Sequence, residues 1–70
     1  MLYVRKYIWE SLDLTGYVRR HDIAGYASLV MDTGQRIIWQ SLPYETEEEA
    51  AQDLKQYIRS VEEERHAGEG

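Results

Sequence analysis

The chain reads as an α+β protein: a three-stranded antiparallel sheet with one C-terminal helix packed across one face (β-β-β-α). Two observations carry this. A β-branched and aromatic run, Gln35 to Ser41, meets Pro43, and a capped amphipathic helix follows at once. Upstream, Leu2–Trp9 and Ile23–Met31 are apolar runs of strand length and composition, rich in β-branched and aromatic residues.

The first strand is expected over residues 2–9. Leu2, Val4, Lys6 and Ile8 fall on one side and Tyr3, Arg5, Tyr7 and Trp9 on the other. From Glu10 to Asp22 the chain reads as an irregular connection. Thr15-Gly16 marks a turn, Ser11 is placed to cap one helical turn, and Tyr17 to Arg19 are suited to an extended path. Ile23 to Met31 is the second strand, where Gly25 suggests a bulge or a close backbone approach. Asp32-Thr33-Gly34 is a turn signal, with Gly34 the residue free to take positive φ. The third strand pairs back from Gln35 to Ser41 and stops before Pro43, which has no N–H for a ladder.

Thr46 is the N-cap, and Glu49 completes the Thr-x-x-Glu capping box. Glu47 and Glu48 add charge that the helix dipole favours. Ala50, Leu54, Tyr57, Ile58 and Val61 form one apolar stripe, with Leu54 and Ile58 its central contacts with the sheet. The helix is expected from about Glu47 to about Arg65, in a single domain over residues 1–66 followed by a disordered tail at 67–70.

One helix covers one sheet face, yet both sets of alternating residues contain large apolar groups. In the second strand Ala27, Leu29 and Met31 alternate with Tyr26, Ser28 and Val30. In the third, Ile37, Trp39 and Ser41 alternate with Arg36, Ile38 and Gln40. The expected open surface groups Tyr26, Val30 and Ile38 with Arg36 beside them, and contiguous apolar patches of that kind mark interfaces.

Seventy residues make one small domain with limited surface to bury. With no cysteine, disulfides and Cys-based zinc sites are excluded, and a reducing, cytoplasmic setting is expected. The N-terminus has Arg5 and Lys6 among its apolar residues and reads as no signal peptide, and no run approaches a membrane span. The net charge of −5 is uneven: residues 1–35 balance, and the surplus acid lies in residues 36–70. That half would repel duplex DNA.

No catalytic constellation emerges, so no enzyme, cofactor or metal is expected. His21, between Arg20 and Asp22, reads as a solvated loop residue, and His66 lies in the terminal turn. The two are too far apart in sequence to suggest a metal pair. Asp32-Thr33-Gly34 has the form of the aspartic-protease triplet, but 70 residues leave no room for that fold and a hairpin turn explains it. Six tyrosines and two tryptophans, without phenylalanine, suit interfaces because each joins apolar area to a polar tip.

The pattern Gly34…Ile37-Ile38…Ser41-Leu42-Pro43-Tyr44-x-Thr46, continuing to Ala50 and Leu54, resembles the small prokaryotic YegP-like domains. Those run from Gly through a β segment to Ser-x-x-Tyr and a Ser/Thr-capped helix. This chain has one residue more between Gly34 and Ser41. Tyr44-x-Thr46-x-Glu48-Glu49-Ala50 is also similar to the sheet-to-helix junction of integrase arm-binding domains and HicB-like antitoxins. The resemblance covers about 20 residues and implies a β-β-β-α unit with no catalytic residue to carry over.

The functional expectation is a small non-enzymatic protein-interaction module, of the phage or bacterial accessory kind. It would dock to a protein partner, or to itself as a homodimer, through the open sheet face and an edge strand. The alternatives are a sheet-face nucleic-acid binder, with Arg5, Arg19, Arg20 and Arg36 beside stacking aromatics, and an acidic nucleic-acid mimic built on Glu45–Glu49.

Overall fold

The computed structural model describes residues 3–21 and 25–69. Four strands, β1 (Tyr3–Trp9), β2 (Leu14–His21), β3 (Gly25–Met31) and β4 (Ile37–Gln40), form one antiparallel sheet in chain order. The helix α1 (Glu47–Glu69) packs on β3 and β2. The class is the expected one, with four strands in place of three. Leu2, Ile23 and Ala24, expected at the starts of strands, lie outside the described residues.

The unexpected strand is β2. The turn sits earlier than Thr15-Gly16 suggests: Glu10–Leu12 form one 3-10 turn, which Asp13 closes with φ 56° and an N–H donated to the Glu10 carbonyl at 3.2 Å. Gly16 is instead mid-strand, paired with Tyr7 on one side and Val30 on the other. Its missing side chain makes room for Trp9 and Leu54.

That space lets the helix approach. Val18, Val30, Leu14 and Leu12 pack with Ala50, Ala51, Leu54 and Ile58 in one core, and Leu54 and Ile58 are buried as expected. Small residues at 50 and 51 bring the helix backbone close to the sheet. Around this core lie Tyr7, Trp9, Tyr26, Trp39, Tyr44, Tyr57 and Val61, with Trp39 and Tyr57 stacked at 4.7 Å.

The joints match the sequence with two changes. Gly25 has φ 101°, and a Cβ there would strike the Tyr44 carbonyl, so the glycine permits the Tyr26–Tyr44 bridge. In the β3–β4 turn the left-handed residue is Gln35 (φ 62°), not Gly34. Asp32 Oδ1 accepts from the N–H groups of Gly34 and Arg36 at 2.9 and 3.0 Å, fixing the loop one residue later than the glycine implies. Thr46 caps α1, its hydroxyl accepting from the Glu49 N–H at 3.2 Å and donating to the Glu49 carboxylate at 3.0 Å. The helix continues to Glu69, past the end expected near Arg65, so residues 67–69 of the expected disordered tail are helical. Arg65 ties it back to the β1–β2 turn through the Leu12 carbonyl at 3.2 Å.

Candidate functional site

Alternation along the strands sorts every side chain to one of two faces. Arg5, Tyr7, Trp9, Leu14, Val18, Tyr26, Val30 and Trp39 belong to the helix side. The expected docking group is therefore split. Val30 is fully buried beneath α1, and Tyr26 packs against the same core, so neither lies on the open face. The helix takes this side because Gly16, Ser28, Ala50 and Ala51 are small where the layers meet. Arg36 remains exposed at the turn, 3.6 Å from Asp32, and Ile38 is 45% exposed.

The open face is built from other residues. The register sets Ile8, Thr15, Met31 and Ile37 side by side across all four strands. Ile8 is 62% exposed and Ile37 45%. One row further along, Lys6, Tyr17, Leu29 and Gln40 are aligned, and beyond them Tyr3, Arg19 and Ala27. Two bulges complete the surface. One near Val4 breaks the alternation of β1 and sends Tyr3 to the open face, where its ring meets Tyr17 at 4.8 Å. The other, between Val30 and Met31 in the ladder, leaves Ile37 and Ile38 both outside the core.

Past Tyr17, alternation carries Arg19 and His21 onto this face. With Ala27, Leu29, Gln40 and Pro43 they line a cleft of about 190 Å³. His21 is half-buried rather than solvated, because it ends a strand, and its Nδ1 is buried without a hydrogen-bond partner among the described residues. Ser41 shares the cleft, but its hydroxyl donates to the Leu42 carbonyl at 2.9 Å and accepts from the Ser28 N–H at 2.8 Å. It is occupied in holding β4 to β3.

Charge is segregated. No strand contains a carboxylate, while the strands carry Arg5, Lys6, Arg19 and Arg20. Arg5 is spent on the helix side, donating to Glu47 at 2.5 Å, and its hydrogen bonds to Tyr7 and Glu47 raise its pKa. Lys6 and Arg19 are left for the open face. Lys6 stands over the Tyr17 ring, 5.9 Å from its centre. On α1, Glu47, Glu49 and Asp53 are bound to Arg5, Thr46 and Tyr44, and Gln52, Lys55, Gln56 and Arg59 share one outer surface.

Among the described residues no group of three or more His, Cys, Asp or Glu is placed to hold a metal, and no helix is long and apolar enough to cross a membrane. Both sheet edges are blunted. The β1 edge carries Arg5, Lys6 and a bulge; β4 has four residues, a bulge, and Pro43 just beyond. The class so defined is a four-stranded meander with one covering helix and one open face, on which the described strands carry no carboxylate. Compared with family models, curated proteins and solved structures, the chain has no match.

The sequence reading missed Ile8, Met31 and His21 on this surface, and set Arg19 on the sheet with Arg5 and Arg20, which alternation carries to the helix side. The signal was present in Leu14-x-Gly16-x-Val18, an alternation obscured by reading Gly16 as a turn.

Proposed function

We propose that this chain is a small, non-enzymatic interaction module, of the phage or bacterial accessory kind, that docks a protein in the cytoplasm through the sheet face opposite α1. The observation that carries the reading is the Ile8–Thr15–Met31–Ile37 row, aligned by register on the uncovered face. Leaving such a row in water forgoes roughly 25 cal/mol for each Å² a partner could cover. The blunted edges favour the face over strand addition. The Ser41 hydroxyl, already bound on both sides, supports binding over nucleophilic chemistry.

The nucleic-acid reading draws support from Lys6 and Arg19 on strands that carry no carboxylate among the described residues. It is second because single-strand binders stack bases on open rings. Tyr17 is engaged by Lys6 and Tyr3, and Trp9 and Trp39 lie on the helix side, which leaves Tyr3, 47% exposed on the edge strand, as the ring open to a base among the described residues.

The test compares the wild-type chain with Ile8→Glu and Ile37→Glu. Sedimentation at tens of micromolar reports self-association, and capture from the native host reports a foreign partner. Loss of either association in both variants, with circular dichroism unchanged, supports face docking. Retention in both overturns it. Tight, steeply salt-dependent binding of single-stranded oligonucleotides promotes the second reading.

A further inference from the structure

We infer that the Arg19–His21 cleft is a carboxylate pocket, and that the partner is a protein segment presenting an acidic side chain beside aliphatic ones. The inference rests on the face-docking reading and adds the chemistry of what docks. Three observations converge. The cleft is lined by Arg19, His21 and Gln40 together with the apolar Ala27, Leu29 and Pro43. His21 is half-buried at the cleft and its Nδ1 has no hydrogen-bond partner among the described residues, so no other described side chain holds the imidazole. No strand residue is acidic, so the sheet itself supplies no counter-charge.

A carboxylate suits the pocket because its two oxygens can accept from Arg19 and a ring N–H together. Protein is favoured over nucleic acid by the apolar row beside the pocket, which has aliphatic groups to cover and no free ring for a base. A second copy packed sheet to sheet does not fill it, since its strands offer no carboxylate. The row lies two residues from Leu29 along β3 and four from Arg19 along β2, about 7–14 Å at the rise of a strand. The partner's acid and aliphatic residues are therefore separated by two to four positions if extended, or about one to two and a half turns if helical.

A random peptide library selected on the immobilised full chain tests this. The expected result is enrichment of Asp or Glu about two to nine positions from Ile, Leu or Val. A selected peptide should shift the amide resonances of Arg19, His21 and Gln40, and its Asn/Gln counterpart should bind at least about tenfold more weakly. Arg19→Gln and His21→Phe, checked for folding by circular dichroism, should each remove the preference for acid over amide. Peptides that bind the open face with no such preference overturn the pocket and leave face docking standing. No peptide binding to the open face, or tighter binding of a single-stranded oligonucleotide to the cleft, overturns both.

Discussion

The Trp9 indole lies over Gly16: a Cβ added at Gly16 would come within 2.6 Å of Cζ3 and 2.7 Å of Cη2. The same Cβ would approach Leu54 Cδ1 at 3.1 Å. One absent methyl group thus seats an edge-strand aromatic and a helix leucine together. Gly16→Ala is expected to cost about 1–3 kcal/mol by overpacking. Urea denaturation measures the loss. In a Trp39→Phe background, the emission of Trp9 should shift as its ring is displaced; an unchanged midpoint and spectrum would show that the ring moves freely.

Gln35 takes the left-handed conformation that glycine adopts without penalty. Side chains with a Cβ are disfavoured there by roughly 1–2 kcal/mol. Gln35→Gly should therefore raise stability, by about 0.5–1 kcal/mol after the entropy of the freer chain is subtracted. Thermal melts of Gln35→Gly and Gln35→Val should move in opposite directions.

Ser28 is buried beneath the helix, and its hydroxyl has no partner among the described residues. Its backbone N–H is satisfied separately, by Ser41 Oγ at 2.8 Å. Ser28→Ala removes only the unpaired hydroxyl and is expected to be neutral or to stabilise by up to about 1 kcal/mol. A clear loss in chemical denaturation would reveal a hydrogen bond to that oxygen.

The Tyr44 hydroxyl donates to Asp53 Oδ2 at 2.8 Å and joins the strand-to-helix connection to α1. That hydrogen bond, followed by desolvation and the Asp53 charge, raises the tyrosine above its ordinary pKa of 10.0. The folded pKa is the higher one. The stabilisation is therefore complete below pH 10 and is lost as pH rises through the folded value. Stability of wild type minus Tyr44→Phe, followed across alkaline pH, should decline above that point. A flat difference would mean that the bond contributes nothing to folding.

Thr46 accepts the Glu49 N–H at 3.2 Å at the start of α1. Thr46→Ala should cost about 0.5–2 kcal/mol, a visible fall in melting temperature for a chain this short. An unchanged melt would place the effective start of the helix elsewhere.

Much of the C-terminal half was legible because its signals are local. The Thr46 cap, the stripe from Ala50 to Val61 and the stop at Pro43 each act within a turn or two of chain. The site was less legible because it is made of register. Nothing near Ile8 in sequence announces Ile37, and only the ladder through Thr15 and Met31 joins them.

By itself the sequence determined the α+β class, the capped helix and its buried stripe, and the β3–β4 hairpin, since propensity, capping and period operate between near neighbours. Tertiary structure alone decided that Gly16 is a strand residue, that Val30 lies under the helix, and that Ile8, Arg19 and His21 share the open face. Those outcomes depend on which of two apolar faces lets the helix approach more closely. The choice fell to the face with Gly16 and Ser28, where Ala50 and Ala51 come close to the sheet. A glycine that reads locally as a turn is, at the distance of Trp9 and Leu54, the space they occupy.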